Sequence, residues 1–180
     1  FSSSSETEVT FRKGVRRVAR LVKLGAHDYV QSPLKLKPDA SYLITGGIGA
    51  LGLQVAQYLA TLGASHLILT GRSGVSTDDQ RTAIQALENA GVKIEVFAAD
   101  VSNAEEVTQL LAHTSNLRGV VHAAGVLDDG MLMHQSPKRF LKVAGPKVSG
   151  AWNLHIQTKD LPLDFFILFS SVASIIGSPG

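Results

Sequence analysis

Four glycines between residues 46 and 52 form the part of this sequence whose spacing best suits chemistry. They lie in SYLITGGIGALG, residues 41–52, between a short apolar run and a helical pattern. A backbone without side chains can approach a phosphate closely, and the N–H groups at the start of a helix attract negative charge. The motif GIGALG, residues 47–52, in this strand–turn–helix setting is typical of a dinucleotide-binding turn.

Each glycine of this turn has an expected role. A side chain at Gly47 or Gly49 would hold a phosphate away from the backbone, and one at Gly52 would hold the helix off the strand. The alternative is an ordinary glycine-rich turn without a ligand. The turn residues expected to contact a dinucleotide are Gly46, Gly47, Ile48, Gly49, Leu51 and Gly52.

Arg72 and Ser73 stand where a dinucleotide site distinguishes its two cofactors. NAD-preferring sites place a carboxylate about 20 residues beyond the glycines, whereas a guanidinium there can bind a 2′-phosphate in bidentate fashion. The sequence therefore favours NADP(H), with a surface arginine as the alternative. Asp100 follows the third strand and could accept a hydrogen bond from the adenine amino group, or could cap the third helix.

Strands and helices alternate from residue 41 onward, which predicts a Rossmann-like α/β fold, a doubly wound parallel sheet ending after its fifth strand. The first helix should turn Leu51, Val55, Leu59 and Leu62 inward. The second helix should begin near Ser76 or Thr77 and end at Gly91. A capping box formed by Ser102 and Glu105 should open the third helix. One later helix should start at Pro137, and another should run from Pro146 to Ile156. The predicted strands are Tyr42–Ile44, His66–Thr70, Lys93–Ala98, Leu117–His122 and Leu163–Phe169.

Small or polar residues follow every one of these strands. In such sheets ligands bind beyond the carboxyl ends of the strands, so these residues are candidates for a shared site. They are the glycine turn, Thr70-Gly71-Arg72-Ser73, Asp100-Val101, Ala123-Ala124-Gly125 and Ser170-Ser171.

Residues 1–38 are predicted to be the tail of a different unit followed by a linker. Val9–Val22 should form two short strands around a turn at residues 12–14, and Pro33 and Pro38 mark the linker. Residues 1–37 carry eight Lys or Arg against three acids. This charge is either a solvated face or a docking surface for an acidic partner, and nucleic acid is not expected because no recognition motif accompanies it.

Composition narrows the class of protein. The chain has 180 residues, 44% of them hydrophobic and 18% charged, without cysteine. It shows no apolar run long enough to cross a bilayer and no signal-peptide pattern, so neither a membrane partner nor a metal site is expected. These features are compatible with a cytoplasmic enzyme.

Five segments together resemble the ketoreductase domain of modular polyketide synthases, a member of the short-chain dehydrogenase/reductase superfamily. The resemblance covers residues 41–180, and residues 9–24 resemble the end of the structural subdomain that precedes the reductase in that family. The segments are TGGIGALG (45–52), LTGRSG (69–74), HAAGVLDDGML (122–132), PKVSGAWNL (146–154) and LFSSVASIIGSPG (168–180).

The resemblance implies NADPH-dependent reduction of a β-ketoacyl chain, held on the phosphopantetheine of an acyl carrier protein, to a β-hydroxyacyl thioester. It assigns Lys147 to the nicotinamide ribose and Ser171, or less favourably Ser170, to the carbonyl oxygen. A developing alkoxide does need donors around it, and a phenol needs a nearby cation to act near neutral pH. Taken singly, Lys147 could be a helix-surface lysine and Ser171 a strand-end cap. Neighbouring synthase domains, an enoylreductase or dehydratase among them, would be further partners.

The triplet Leu127-Asp128-Asp129 matches the signature of B-type members, which give the D-(3R) hydroxyl. The tryptophan associated with the opposite outcome is not found just past Ser171, and Trp152 is expected in the core. The alternative for the two aspartates is a solvated loop.

Two positions depart from the family pattern. Ala50 stands where many members have glycine. The family's proton-donating tyrosine and the asparagine beyond it should follow shortly after Gly180, and Tyr29, Tyr42 and Tyr58 do not fit that role. We therefore expect the 180 residues alone to bind NADPH weakly without reducing a thioester. The alternatives are an inert cofactor-binding fragment and a free-standing 3-oxoacyl reductase of fatty acid synthesis.

Overall fold

The computed structural model describes residues 6, 9–20, 22–23, 25 and 34–177, except the side chain of residue 176. It divides the chain into two compact units. The larger unit spans residues 34–170, and the smaller combines the described residues before 34 with residues 171–177. Much of the predicted linker, residues 26–33, lies outside the described residues.

The smaller unit contains the predicted hairpin. Strand β1, Val9–Arg12, pairs antiparallel with β2, Val15–Val18. The connecting Lys13 and Gly14 have φ values of 52° and 75°. Two successive positive φ values are typical of the tight turns whose twist matches a two-stranded ribbon, and glycine adopts them without a Cβ penalty.

The larger unit is built on a five-stranded parallel sheet in the order β5-β4-β3-β6-β7. The order reverses at β3, whose two neighbours are β4 and β6, so crossovers run in both directions from it. This arrangement confirms the predicted Rossmann-like class. The strands are β3 (Ser41–Thr45), β4 (His66–Gly71), β5 (Lys93–Ala98), β6 (Leu117–His122) and β7 (Phe165–Leu168).

Helices cover both faces of this sheet because alternate residues of each strand point in opposite directions. Helices α1 (Ala50–Thr61) and α2 (Asp78–Asn89) pack on the face that carries Tyr42, Ile44 and Leu69. Helix α3 (Ala104–Ala112) and Leu154 pack on the opposite face.

The two helices predicted after residue 136 form one continuous helical run. Helix α4, Pro137–Ala144, passes into a π-helical turn at Gly145–Gly150 and then into α5, Ala151–Thr158. Pro146 therefore lies inside the helix and does not begin a new one. A proline has no N–H for the i−4 carbonyl, and the wider π turn accommodates this missing bond. A short helix α6, Ala173–Ile176, belongs to the smaller unit.

The predicted cap of α3 and the predicted burial of Trp152 were wrong, and the predicted face of α1 was right at Leu59 but wrong at Leu51. Helix α1 buries Gly52, Ala56 and Leu59, while Leu51 is half exposed, because the small residues allow the closest approach to the sheet. Asn103, one residue beyond Ser102, caps α3 by accepting bonds from the N–H groups of Glu105 and Glu106. Trp152 is 62% exposed, since Gly150 and Leu154 are the residues that α5 and the π turn direct inward.

Among the described residues, none of the helices combines the length and the apolar character needed to span a bilayer.

Candidate functional site

The glycine turn is held by close backbone contacts on its inner side. A Cβ at Gly52 would overlap the carbonyl oxygen of Gly46 and stand 2.5 Å from Gly47 Cα, so only glycine lets α1 start against the turn. Gly46 has φ +67°, and a Cβ there would stand 2.8 Å from the backbone of Ala123 and Ala124. The role expected for Gly52 therefore agrees with the packing.

Gly47 is required for a different reason from the one expected. A Cβ there would stand 2.6 Å from the carbonyl oxygen of Ile44 and 3.0 Å from Leu69 Cβ, so a side chain would strike the sheet instead of a ligand. Gly49 meets only the Gly46 oxygen, at 3.2 Å. Of these two glycines, Gly49 is the one whose side chain would extend away from the sheet.

Within the described residues, the start of α1 has neither a side-chain cap nor an acidic residue in its first turn. The N-cap residue is Gly49. The first N–H groups of a helix lack partners within the helix and attract anions. Leu51 is half exposed in this turn, while Ile48 is buried and packs against Gly71, which leaves the backbone of Ile48 as its contribution to a ligand.

A groove of about 160 Å³ opens at the carboxyl edge of the sheet, beside this turn. It brings together residues from four of the five predicted strand tips. The residues that line it are Gly46, Thr70, Gly71, Arg72, Ala99, Asp100, Val101, Ala124, Gly125, Val126 and Pro146.

Arg72 and Asp100 provide the charges of this groove. Asp100 Oδ1 accepts bonds from Ser102 N at 2.9 Å and Ser102 Oγ at 2.7 Å, which lower the pKa of Asp100, and the Arg72 cation lowers it further. Asp100 therefore forms a local turn and does not cap α3. Arg72 is exposed, and Ser73 beside it is exposed but does not line the groove.

Thr45 and His122 form a buried hydrogen-bonded pair beneath the groove. Thr45 Oγ1 lies 2.6 Å from His122 Nδ1, and His122 Nε2 lies 2.9 Å from the carbonyl oxygen of Pro146. Because a carbonyl can only accept, Nε2 carries the proton and Nδ1 accepts from Thr45. Burial lowers the pKa of His122, which favours this neutral tautomer. His122 thereby ties the π turn to the end of β6 through the carbonyl of Pro146.

Lys147 lies in this π turn, directly after the carbonyl held by His122. A Cβ on Gly125 would stand 3.5 Å from Lys147 Cε, so the lysine stem runs past a residue that lines the groove. Lys147 is exposed and its turn also contains groove-lining Pro146. The structure thus places the predicted lysine at the rim of the groove.

Ser171 belongs to the smaller unit and Lys147 to the larger one. Ser171 Oγ accepts from Ala173 N at 3.1 Å, and its carbonyl oxygen accepts from Ser174 Oγ at 2.6 Å. The hydroxyl therefore contributes to the turn that opens α6. Ser170 is exposed beyond the end of β7.

The loop after β6 separates the three residues of the predicted stereocontrol triplet. Leu127 is 77% exposed, and Asp129 is also exposed. Asp128 is ion-paired with Arg139 and Lys142, whose hydrogen bonds lower the pKa of Asp128. Asp128 is therefore not a solvated loop residue.

The described tyrosines lie away from the carboxyl edge of the sheet. Tyr42 is buried near the amino end of β3, and its hydroxyl accepts from Lys37 N at 2.6 Å. Tyr58 is exposed in the second half of α1. Tyr29 lies outside the described residues.

Sequence reasoning missed Pro146 and Arg139, and it named Thr70 only as one of the residues at the strand tips. Thr70 is fully buried and lines the groove, and within the described residues its hydroxyl has no hydrogen-bond partner. A threonine at the tip of an apolar strand was the available signal for Thr70, and a proline inside a helical pattern was the signal for the π turn. Nothing in the sequence pairs Arg139 with Asp128, eleven positions earlier.

A parallel sheet wound on both faces, with a glycine turn and a groove at its carboxyl edge, defines a Rossmann-like α/β domain. Residues 40–180 match the family model of the KR domain. The chain therefore belongs to the KR domain family, ketoreductases of the short-chain dehydrogenase/reductase type.

Curated relatives are large synthases. The chain is 40% identical over 152 residues to the highly reducing polyketide synthase alnA of Emericella nidulans, covering 82% of this chain. It is 43% identical over 150 residues to the reducing polyketide synthase PKS1 of Cochliobolus heterostrophus, covering 80% of this chain. The chain spans only 6% of the length of either synthase.

Solved ketoreductases share the fold over nearly the whole chain. The structure of an A1-type ketoreductase superposes with a TM-score of 0.84 at 33% identity, covering 99% of this chain and 38% of the other. A ketoreductase domain from the bacillaene assembly line superposes with a TM-score of 0.81 at 35% identity, covering 96% of this chain and 41% of the other.

Proposed function

We propose that the domain containing this chain uses NADPH to reduce a β-ketoacyl thioester on an acyl carrier protein to the D-(3R)-β-hydroxyacyl thioester. The observation that carries the proposal is one groove that Gly46, Arg72 and Asp100 line together, in a member of the KR domain family. The polyketide synthases among its relatives support a carrier-bound substrate and neighbouring synthase domains as partners. The composition supports a cytoplasmic location.

The residues of the groove suit a phosphorylated dinucleotide. The start of α1 offers N–H groups with neither a side-chain cap nor an acid nearby, which suits a pyrophosphate. Arg72 supplies a guanidinium for a 2′-phosphate, and the buried Thr70 hydroxyl supplies a polar atom within the described groove that still needs a partner. Of these features, Arg72 is the one that supports NADPH over NADH.

Reduced nicotinamide, when bound, supplies a hydride to the substrate carbonyl. Lys147, at the rim near Gly125, is proposed to bind the nicotinamide ribose and to provide a cation that lowers the pKa of a proton-donating phenol. Ser171 is proposed to donate a hydrogen bond to the carbonyl oxygen as negative charge develops there. Its hydroxyl can donate this bond while it accepts from Ala173 N.

The product configuration is proposed from Leu127, Asp128 and Asp129, the triplet that resembles B-type members. The fold alone does not identify the type of ketoreductase, because structures described as A1-type and C2-type superpose with TM-scores of 0.84 and 0.81. The loop that contains the triplet follows Gly125 and Val126, which line the groove. This neighbourhood supports the proposal that the loop orients a substrate in the groove.

Two measurements test this function. Fluorescence titration of the 180-residue chain should show NADPH binding at least about tenfold more tightly than NADH, the size of one charge-assisted contact. The same chain extended through the native sequence that follows residue 180 should reduce a β-ketoacyl thioester to the (3R) product, assayed by NADPH absorbance and chiral chromatography. Equal affinity for both cofactors would contradict the role of Arg72. Binding without reduction by the extended protein would favour an inert cofactor-binding domain, and preference for free over carrier-bound substrate would favour a stand-alone fatty acid reductase.

A further inference from the structure

Arg139 makes a dense set of hydrogen bonds to the loop that carries the triplet. It lies in the first turns of α4, and its Nε donates to Asp128 Oδ1 at 2.8 Å. Its two terminal nitrogens donate to three backbone carbonyls of the loop. These bonds reach the carbonyl oxygens of Asp128 (3.0 Å), Asp129 (2.6 Å) and His134 (3.0 Å).

The carboxylate of Asp128 is fully engaged by α4. Its Oδ1 faces Arg139, and its Oδ2 accepts from Lys142 Nζ at 2.9 Å. The side chain of Asp128 is 20% exposed. A carboxylate held by two cations acts on the shape of its own loop, whereas the exposed side chains of Leu127 and Asp129 remain able to meet a ligand.

Gly130 lies directly against the guanidinium of Arg139. A Cβ there would stand 2.8 Å from one terminal nitrogen of Arg139 and 2.9 Å from the other. Gln135 Nε2 donates to the carbonyl oxygen of Gly130 at 3.1 Å, which fixes the same segment from its far end. The path of residues 128–134 is therefore shaped around this single side chain.

Lysine could not replace this arrangement. A guanidinium is planar and presents five donors in a fixed fork, while an ammonium is a point charge with three. A lysine could keep an ion pair with Asp128 but could not also span carbonyls on both sides of the loop. Positive charge and fork geometry can therefore be separated by experiment.

We infer that Arg139 is a positioning residue that sets the product configuration, because it fixes the loop bearing Leu127 and Asp129 through the Asp128 carboxylate and three carbonyls. The inference rests on the proposed reduction of a β-ketoacyl thioester. It assigns Asp128 a role in holding the loop, and it leaves contact with the substrate to Leu127 and Asp129.

The test compares Arg139→Lys and Asp128→Asn with Lys138→Met, which removes an exposed cation from the same turn of α4. Each change is made in the protein extended through its native downstream sequence, with β-ketoacyl thioester and NADPH. Chiral chromatography of the product gives the (3R):(3S) ratio, and hydrogen exchange of residues 127–134 reports the order of the loop. Melting temperatures identify any variant that fails to fold.

We expect Arg139→Lys to lower the (3R):(3S) ratio at least tenfold and to accelerate amide exchange in the loop. Asp128→Asn should give a smaller change of the same kind, and Lys138→Met should match the wild type. An unchanged ratio in a folded Arg139→Lys protein, or an equal fall in Lys138→Met, would overturn the inference while leaving the reductase function intact. A wild-type protein that reduces no β-ketoacyl thioester would refute the proposed function, and the inference with it.

Discussion

Helices α1 and α2 begin in opposite ways, although both have 12 residues and both pack on the same face of the sheet. Helix α2 has a complete capping box, in which Thr77 accepts from Gln80 N and Gln80 accepts from Thr77 N. Asp78 and Asp79 stand in its first turn, where the helix dipole favours acids. Helix α1 begins at Gly49 with neither device. The N–H groups at the start of α2 are capped by side chains of that helix, whereas those at the start of α1 remain available to an anion.

The satisfied start also supports the open one. Gln80 uses its side-chain oxygen for the capping box of α2, and its Nε2 donates to the carbonyl oxygen of Ile48 at 3.1 Å. This bond ties the glycine turn to α2 through a carbonyl, while the N–H groups of Gly47 and Gly49 donate to the carbonyl oxygens of Thr70 and Gly46. The neighbouring helix α2 has a complete side-chain cap, whereas α1 has none. This difference is expected if a bound ligand takes the place of the cap at α1.

The largest effect should come from adding one methyl group at the open start. Gly52→Ala places a Cβ against the Gly46 carbonyl and Gly47 Cα, so the helix must move off the turn. We expect a loss of roughly 3 kcal/mol in the free energy of unfolding. The melting temperature should fall by about 10 °C. Gly145→Ala is the matched control, because a Cβ there would stand 3.6 Å from Ser102 Cβ in ordinary contact, and an equal fall in both variants would contradict the tight packing.

Making α1 resemble α2 should abolish most cofactor binding. Gly49 has φ −74° and ψ 165°, which any residue adopts, so Gly49→Asp can supply the acidic cap that α1 lacks. We expect NADPH affinity to fall about 100-fold, since the carboxylate repels the pyrophosphate and occupies its donors, with stability changed by only a few tenths of a kcal/mol.

Thr77→Asp provides the control for that change at the closed start. It puts the same charge at the cap of α2 and should leave NADPH affinity within about twofold, because that start already holds two acids. Calorimetric titration of both variants decides the comparison. Equal losses would show that general negative charge, and not the open start, governs binding.

Arg72, in the segment between β4 and α2, should separate the two cofactors. Arg72→Leu removes the guanidinium from the groove while keeping much of the side-chain volume. We expect NADPH affinity to fall about 30-fold and NADH affinity to change less than about threefold, since only the former has a 2′-phosphate for a charge-assisted bond. Parallel fluorescence titrations measure this. An equal loss for both cofactors would place Arg72 outside the phosphate site.

The smallest effect should come from the link between the two starts. Gln80→Glu keeps an oxygen for the capping box but loses the N–H group that holds the Ile48 carbonyl. We expect about a fivefold loss of NADPH affinity, the size of one net hydrogen bond, with little change in melting temperature. Thr77→Ala should do the reverse, costing about 1 kcal/mol of stability without altering affinity. A fall in NADPH affinity for Thr77→Ala but not for Gln80→Glu would contradict this assignment, in which the Thr77 bond stabilises α2 and the Gln80 bond to Ile48 supports cofactor binding.

Local signals in the sequence were enough for much of this fold. The strands at residues 93–98 and 117–122 were predicted with the observed bounds, and Thr77, Ser136 and Gly91 marked helix ends correctly. These features depend on apolar runs, caps and glycines within a few residues of each other.

What the sequence did not reveal depends on contacts between distant segments. The predicted face of α1 was wrong at Leu51 and omitted Gly52 and Ala56, because large leucines carry more weight in a periodic pattern than small residues, whose size is what permits contact. Pro146 looked like a helix start, as Pro137 is. The hydrogen bond from His122 to the carbonyl of Pro146 joins residues 24 apart, so the sequence did not reveal it. In the candidate site the glycines and Arg72 could be proposed from spacing, whereas the Arg139 network required the folded chain.

The π turn also has a consequence for the helix on either side of it. Each bond in such a turn spans one residue more than in an α-helix, which shifts the phase of α5 relative to α4 by about 100°. Arg139 can therefore face the loop while Leu154 faces the sheet along one unbroken rod. If the same residues were all wound as a regular α-helix, one end of that rod would turn away from its partner, whereas removing one residue between Gly145 and Gly150 would restore regular winding with both ends in the same phase. The π turn thus lets the chain hold one residue more than a regular helix would, while Arg139 keeps its loop and Leu154 keeps the sheet.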